Sequence, residues 1–201
     1  QAEVNYIYRD TKDFILKGVS LTNNPTTSYD NIGNVHTRGI EAMLGYSYKR
    51  NLHVSGNLTF QDIKDKMRYE KSQNTYVGDG MNENITYGQR LPNIPYFFMN
   101  GHADYNFLDF GKKGNSLSLN YDVQYIHDYY LSFTGLGAKA TKKVIPEQFC
   151  HNVSVGYNMK DGRYSILLEC TDISNEKLYD NYRLQKPGRS FNVKFRYYIT
   201  K

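Results

Sequence analysis

The sequence predicts an all-β fold of antiparallel strands that cross a membrane as a β-barrel, and three observations support this. The even positions from Ile40 to Tyr48 are apolar or aromatic, and the same alternation resumes from Leu52 to Phe60. This two-residue period is typical of strands with one apolar and one polar face. Short turns also alternate with long loops along the chain. Finally, aromatic residues collect near both ends of the predicted strands.

We expect roughly nine strands and no helix of consequence. The predicted strands cover 2–9, 14–23, 40–48, 52–60, 96–107, 117–125, 152–159, 164–168 and 191–199. Short turns are predicted near Thr11, Arg50, Lys112 and Asp161, and longer loops near Asn24, Tyr76, Gly137 and Asp180. Bacterial outer-membrane barrels have short periplasmic turns and long external loops, so this asymmetry favours a membrane barrel.

Two aromatic girdles are the third sign of a spanning barrel, because amphipathic rings favour membrane interfaces. Phe60, Phe97, Tyr125 and Phe149 lie at the long-loop ends, and Tyr46, Tyr48, Tyr105, Phe107, Tyr157, Tyr164 and Tyr197 at the short-turn ends. A soluble barrel or sandwich would alternate equally well. Strand length, loop asymmetry and the paired girdles favour the membrane.

Composition is consistent with this interpretation. The 201 residues include 20 Tyr, 10 Phe and no Trp, and the mean hydropathy is −0.68. Alternating strands average to a hydrophilic value, so this hydropathy does not exclude a membrane barrel. The net charge of +5 is spread along the chain, whereas nucleic-acid-binding proteins concentrate their basic residues. We therefore expect no nucleic-acid partner.

No catalytic residue, cofactor or metal site is expected, and the protein is not predicted to be an enzyme. The sequence lacks a CxxC pair, a glycine-rich phosphate loop and a placeable catalytic triad. His102 and Asp104 share a face, but two ligands do not make a metal site, so a solvated polar pair is favoured. If Asp161-Gly162 form a two-residue turn, Cys150 and Cys170 lie on opposite faces and no disulfide is expected.

Two motifs carry a family resemblance. Asn31-Ile32-Gly33 followed by Arg38-Gly39-Ile40-Glu41-Ala42 resembles the late-barrel motif of TonB-dependent outer-membrane receptors. Residues 171–181, the Pro187-Gly188-Arg189 stretch and the final alternating strand resemble the closing segment of that family. The chain departs from the pattern at Asp172, where Asn is usual, and at its end, where Ile199-Thr200-Lys201 replaces a terminal aromatic.

The resemblance implies that residues 1–201 are the C-terminal part of a barrel of about 22 strands with a plugged lumen. The plug domain, its TonB-contacting segment and the first strands would lie outside this chain. No secretory signal opens it at Gln1, so we expect a piece of a longer protein.

By the same resemblance, the expected function is active import of a scarce nutrient across the bacterial outer membrane. The nutrient would be a ferric siderophore, haem, cobalamin or an oligosaccharide, and TonB would supply energy through the plug. The implied partners are outer-membrane lipid, TonB and the small-molecule ligand. The alternative is a passive porin or a surface adhesin built on a similar barrel.

Ligand-binding residues are expected in the long loops, where solvated side chains converge on a ligand. Tyrosine offers a large contact area at low entropic cost, and arginine binds anionic groups. The candidates are Tyr69, Tyr76, Tyr87, Arg90, Tyr129, Tyr130 and Tyr179. The competing interpretation is ordinary loop or girdle tyrosines. Arg38 and Glu41 are expected to face the lumen and contact the plug, or to form a structural charge pair.

Overall fold

The computed structural model describes residues 1–17, 29–31, 33–71, 81–84, 86–135, 142–181 and 183–199, in which every regular element is a strand. No helix in these ranges is long and apolar enough to cross a membrane. The strands are numbered β1 to β16 in chain order. Eight long strands are β1 (Ala2–Thr11), β4 (Val35–Tyr48), β5 (Leu52–Asp65), β8 (Phe97–Leu108), β9 (Ser116–Ile126), β12 (Gln148–Met159), β13 (Tyr164–Thr171) and β16 (Ser190–Tyr197). Four short pairs are β2 (Ile15–Lys17) with β3 (Tyr29–Asn31), β6 (Tyr69–Lys71) with β7 (Met81–Glu83), β10 (Tyr129–Tyr130) with β11 (Val144–Ile145), and β14 (Tyr179–Asn181) with β15 (Leu184–Gln185).

The eight long strands form one antiparallel sheet in the order β1-β4-β5-β8-β9-β12-β13-β16. Each long strand pairs with the next long strand along the chain, so the sheet is an up-and-down meander. Within the described residues β1 and β16 are its two edges, and the sheet does not close on itself. The predicted all-β antiparallel class is confirmed.

The main sheet has eight strands where roughly nine were expected. Thr11 at the end of β1 pairs directly with Val35 at the start of β4. Of the second long strand expected over 14–23, residues 18–23 lie outside the described ranges, and the described part forms β2, which pairs with β3 outside the main sheet. Phe14, Ile15 and Leu16 are consecutive apolar residues, so this segment lacks the alternation that would give it two distinct faces.

Short and long connections still alternate, although the turn near Thr11 is not one of the short ones. The short turns are 49–51, 109–115 and 160–163, and the long connections are 12–34, 66–96, 127–147 and 172–189. In the third short turn Asp161 and Gly162 have φ of 53° and 84°, a left-handed geometry that this residue pair tolerates. All long connections therefore lie at one end of the sheet.

The register around that turn determines on which face of the sheet each of the two cysteines lies. Met159 pairs with Tyr164, as an Asp161-Gly162 turn requires. Cys150 pairs with Gln124 on one face of the sheet, whereas Cys170 pairs with Val153 on the other. Both are free thiols.

The main sheet has no apolar core of its own. Among the described residues, 31 large hydrophobic side chains are exposed and only five hydrophobic side chains are buried. The five, Val35, Leu91, Phe133, Ile145 and Leu178, all lie at or beyond the long-loop ends of the strands. We call the side of the sheet that carries Ile40, Leu44, Leu119 and Leu168 the apolar face. A soluble sandwich would bury this face, so its exposure argues for contact with lipid.

Aromatic residues border the apolar face at both ends, as expected. At the long-loop end Phe60 pairs with Phe97, and the Tyr125 ring lies 5.9 Å from those of both Phe97 and Phe149. At the short-turn end, Tyr164 and Tyr197 stack at 4.9 Å. From Phe60 back to Leu52 the strand rises about 26 Å, or about 20 Å of height at a tilt near 40°. This height is close to that of an outer-membrane apolar band.

Replacing Leu119 with arginine tests the orientation of the sheet. Leu119 is the fourth of the 11 residues of β9 and lies on the apolar face between Tyr105 and Val155. We expect Leu119→Arg to cost about 2 to 4 kcal/mol in folding of the full-length protein into bilayers, measured by urea titration. The control Asn120→Arg places the same charge on the opposite face and should cost about 1 kcal/mol, the value of its lost hydrogen bond. Equal costs would contradict this orientation.

Candidate ligand-binding loops and the polar lumen

The side of the sheet opposite the apolar face is hydrophilic and concave. It borders an open cavity of about 640 Å³ lined by residues of β1, β4, β5, β8, β9 and β12. Across three of these strands Asn100 donates to Asn57 at 3.0 Å and Gln124 donates to Asn100 at 3.1 Å. We call this side the polar face. Its polar side chains form hydrogen bonds with those on neighbouring strands, and the resulting hydrophilic surface suits an aqueous lumen.

His102 lies near the centre of the polar face between two carboxylates. Its Nδ1 is 2.7 Å from Asp122 Oδ1, and its Nε2 is 3.4 Å from Asp104 Oδ1. The sequence indicated only Asp104, because Asp122 is brought alongside by the pairing of β8 with β9. Among the described residues no group of three or more His, Cys, Asp or Glu side chains is arranged to hold a metal ion.

Arg38 and Glu41 occupy opposite faces of β4. Glu41 pairs with Asn5 and Thr59 on the polar face. Arg38 pairs with Tyr8 and Asp62, in the phase of the apolar face, and its Nε lies 2.5 Å from His36 Nε2. Residues three apart on a strand point to opposite sides. The two therefore do not form a pair and do not both face the lumen. Contact of Glu41 with a plug stays a prediction.

Gly39, between these residues, explains part of the Arg-Gly motif. A Cβ at this position would lie 2.8 Å from the Phe60 carbonyl oxygen. A side chain there would force β4 away from β5, so glycine permits the close approach of the two strands.

The second long loop is anchored by a buried polar cluster. Asp65, 1% exposed, accepts hydrogen bonds from Thr86 Oγ1 at 2.5 Å and Asn84 Nδ2 at 2.9 Å. The Met67 amide also donates to Asp65 at 2.8 Å. Beside this cluster the Leu91 amide donates to the Ile63 carbonyl, so the loop returns as an extension of the sheet along the top of β5. The sequence analysis missed this cluster because its members are up to 21 residues apart.

Three of the predicted ligand-binding residues share one cavity. Arg90, Tyr129 and Tyr130 line a space of about 300 Å³ between the second and third long loops. The Arg90 Nε donates to Asp62 at 2.6 Å, and its guanidinium lies 4.6 Å from the centre of the Tyr96 ring. Burial raises the pKa of the Tyr129 phenol, so its hydroxyl stays protonated as a donor at neutral pH. The volume is at the lower end of small-molecule pockets.

The other candidates lie elsewhere. Tyr87 is exposed and borders a separate cavity of about 200 Å³ with Arg38 and Lys66. The Tyr179 amide donates to Gln148 Oε1 at 2.7 Å. Tyr69 belongs to β6, but its side chain is not described, and Tyr76 lies outside the described residues. Ligand contact by these seven residues stays a prediction.

The last long loop is tied to the sheet through Asp172. This residue is 3% exposed, its amide donates to Asn152 Oδ1 at 2.9 Å, and its own Oδ1 accepts from the Glu176 amide at 3.0 Å. An Asp that caps the following backbone in this way has a recognisable pattern, with Ser or Asn shortly after it. That pattern at Asp172 to Asn175 is the signal by which the sequence could have revealed the anchor.

A sheet with an exposed apolar face, two aromatic girdles and a concave polar face defines a segment of a bacterial outer-membrane β-barrel. The family model described as TonB dependent receptor-like, beta-barrel matches residues 1–173, and the chain belongs to this family. The family places it in the outer membrane of Gram-negative bacteria. The comparison with curated proteins gives no match.

Solved structures agree on the fold. The siderophore receptor PiuA of Acinetobacter baumannii superposes with a TM-score of 0.60 at 17% identity, over 85% of this chain and 23% of PiuA. The ferric enterobactin receptor PfeA of Pseudomonas aeruginosa gives 0.63 at 16% identity, over 96% of this chain and 28% of PfeA. The FrpB iron transporter of Neisseria meningitidis gives 0.60 at 15% identity, over 98% and 29%. The chain thus spans about a quarter of these receptors.

Removing the Asp65 carboxylate should release the second long loop without unfolding the barrel. Asp65→Ala eliminates three hydrogen bonds to a buried charge, and we expect about 3 to 5 kcal/mol less local stability. Amide hydrogen exchange in the full-length protein should accelerate at least 100-fold at Leu91 and Gly88 and stay unchanged in β8 and β9.

The matched control is Asp180→Ala, because the Asp180 side chain is 61% exposed and its ion pair with Lys186 lies at the surface. It should leave exchange in the second loop unchanged. Unchanged exchange in Asp65→Ala as well would show that the cluster does not anchor the loop.

Proposed function

We propose that this chain is the C-terminal part of the barrel of a TonB-dependent receptor that imports a scarce nutrient across the outer membrane. The observation that carries the proposal is the separation of an apolar face and a polar face along the middle of the sheet. One side of the sheet suits hydrocarbon, the other borders a hydrophilic cavity, and the long loops hold a further cavity of ligand size. A barrel of this family has about 22 strands, and the eight strands here supply one side of its wall.

The open edges of the sheet support a longer wall. An unpaired strand edge is not tolerated in hydrocarbon, where each free N–H or C=O costs several kcal/mol. β1 and β16 therefore require neighbours, which further strands of the receptor would supply. The polar face would then enclose a plug domain, and Glu41 would offer that plug a carboxylate. TonB would act on the plug and contact none of these eight strands.

A ferric siderophore is the ligand class we put first. The matched structures include a siderophore receptor, a ferric enterobactin receptor and an iron transporter. The cavity between the second and third loops presents the Arg90 guanidinium and the hydroxyls of Tyr129 and Tyr130. These groups suit an anionic iron chelate, because arginine binds acidic oxygens at short range and tyrosine adds stacking area and a donor. Haem, cobalamin and oligosaccharides are the other classes to be tested.

Growth under iron limitation tests the proposal. The full-length receptor should allow a strain lacking its own siderophore receptors to grow on at least one chelate from a panel that includes ferric enterobactin. The same growth should vanish when TonB is deleted. Growth that persists without TonB would indicate a passive pore, and surface attachment without uptake would indicate an adhesin.

The loop cavity is tested by one substitution with a control. Arg90→Ala removes the cationic wall of the cavity, and we expect the affinity for the transported chelate to fall about tenfold or more, as for loss of a charge-assisted hydrogen bond. Arg50→Ala, in a short turn at the opposite end of the sheet, should bind like the unaltered receptor. Affinity would be measured by fluorescence quenching or radiolabelled chelate, and equal affinities would exclude this cavity as the site.

A further inference from the structure

Basic residues are concentrated in the short turns of the sheet. The turns 49–51, 109–115 and 160–163 contain two carboxylates, those of Asp109 and Asp161. They contain six cations, all of them exposed: Lys49, Arg50, Lys112, Lys113, Lys160 and Arg163. The short turns of outer-membrane barrels lie on the periplasmic side. The positive excess therefore faces the inner surface of the outer membrane.

The turns 109–115 and 160–163 lie side by side, and we call them the joined turns. The Asp161 amide donates to the Gly114 carbonyl oxygen at 2.8 Å, and the preceding amide donates to Asn115 Oδ1 at 3.1 Å. These bonds fix the two turns as one surface. The surface brings together four of the six cations: Lys112, Lys113, Lys160 and Arg163.

Two of these cations contact aromatic rings on the apolar face. Tyr164 and Tyr197 stack there with their ring centres 4.9 Å apart. The Lys160 Nζ lies 5.4 Å from the centre of the Tyr164 ring, and the Arg163 guanidinium carbon lies 5.7 Å from that of Tyr197. Both distances are within the range of a cation–π contact. Arg163 also donates to the Tyr197 hydroxyl at 3.3 Å. Lys160 and Arg163 are thus held on the lipid side of the wall, at the level of the girdle.

The two carboxylates of the joined turns face the turn backbone. Asp109 Oδ1 accepts a hydrogen bond from the Gly114 amide at 2.8 Å. Asp161 Oδ1 packs against the same residue, since a Cβ at Gly114 would lie 2.6 Å from it. Among the ion pairs of the described residues, none joins either carboxylate to a cation of these turns. The four cations therefore keep their charge available to a ligand.

The carboxylates of the adjoining strands are on the other side of the wall. In β8, β9, β12, β13 and β16 the acidic residues are Asp104, Asp122 and Glu169. Asp104 and Asp122 both contact His102 on the polar face. Glu169 pairs with Ser154, which in turn pairs with Asn120 on that face. The positive charge on the lipid side is consequently not offset by these strands.

The turn 49–51 shows the same arrangement on a smaller scale. The Lys49 Nζ lies 5.1 Å from the centre of the ring of Tyr48, another girdle residue on the apolar face. The Asn51 side chain donates to the Asn106 carbonyl oxygen at 2.7 Å, which attaches this turn to the end of β8. The joined turns combine two cation–ring contacts with a stacked ring pair, so they form the stronger site.

We propose that the joined turns bind the phosphate of an anionic phospholipid, such as phosphatidylglycerol, in the periplasmic leaflet. Arg163 offers a planar guanidinium that can bind two phosphate oxygens, and the lysines add point charges. Tyr164 and Tyr197 lie on the hydrocarbon side of these cations, where the glycerol and the first acyl carbons would pack. A zwitterionic phospholipid carries an ammonium group that the cations repel. A soluble anion would gain the charge contacts without the packing.

The test uses the full-length receptor in detergent, titrated with phosphatidylglycerol and followed by native mass spectrometry. The affinity should fall about tenfold or more in the fourfold variant, because each basic residue near a lipid surface contributes to binding of anionic lipid. Phosphatidylethanolamine should bind the unaltered receptor and the variant equally weakly. The fourfold variant combines Lys112→Gln, Lys113→Gln, Lys160→Gln and Arg163→Gln.

A matched control replaces four exposed cations at the long-loop end with glutamine, and it should bind phosphatidylglycerol like the unaltered receptor. These four are Arg9, Lys12, Lys177 and Arg189. Gel mobility before and after boiling reports whether each variant is folded. The double variant Lys112→Gln and Lys113→Gln, confined to one exposed turn, should lose affinity about threefold or more, and it serves as the test if the fourfold variant does not fold.

Three results would overturn the proposal. The first is an unchanged affinity for phosphatidylglycerol in a folded variant of the joined turns. The second is an equal loss of affinity in the control at the long-loop end. The third is displacement of the lipid by glycerol phosphate at equal concentration, which would show that the turns bind a soluble anion and gain nothing from the apolar face.

Discussion

The structure depends on the requirement that every backbone polar group in hydrocarbon be paired within the protein. The seven antiparallel strand pairs of the main sheet, from β1 through β16, satisfy this requirement for the strands between the two edges. Because the pairing fixes the register, it also fixes which side chains meet the lipid. A single-residue slip would turn the apolar face toward the lumen and the polar network toward the membrane. Lateral hydrogen bonds such as Asn57 to Asn100 and the close approach at Gly39 hold this register.

The polar face and the apolar face of the sheet therefore have different roles. The polar face supports a hydrated interior, in which His102 between Asp104 and Asp122 is one member of a shared network. The outward face meets lipid along the middle of the strands and becomes charged beyond Phe60. The long loops add a third environment, with small buried clusters around Asp65 and Asp172 that anchor the second and the last loop to the strands.

Much of the fold could be predicted from the sequence, because alternation, loop asymmetry and girdles each follow from local residue patterns. The Asp161-Gly162 turn, and the opposite faces on which Cys150 and Cys170 lie, could be predicted from the alternation of residues along one hairpin. The segment from Phe14 failed because a short apolar run does not distinguish a barrel strand from a loop strand. Arg38 was assigned to the lumen by motif, although its even position already placed it with Ile40.

The sites were less accessible to sequence reasoning. Arg90, Tyr129 and Tyr130 were chosen for their chemistry, but their meeting in one cavity depends on two loops 40 residues apart. The Asp65 cluster depends on the path of the second long loop, which brings together residues up to 21 positions apart. Side-chain type predicts what a site can bind, whereas pairing decides which side chains meet.

One consequence concerns the outline of the receptor at the cell surface. β5 continues to Asp65, five residues past Phe60, which pairs with Phe97 at the start of β8, and the returning segment near Leu91 then lies beside it. β1, β4 and β5 therefore extend about 13 Å higher than the start of β8. The upper edge of this part of the wall is therefore uneven, and antibodies or phage that bind the chain above β1, β4 and β5 would be held farther from the membrane than those that bind above β8.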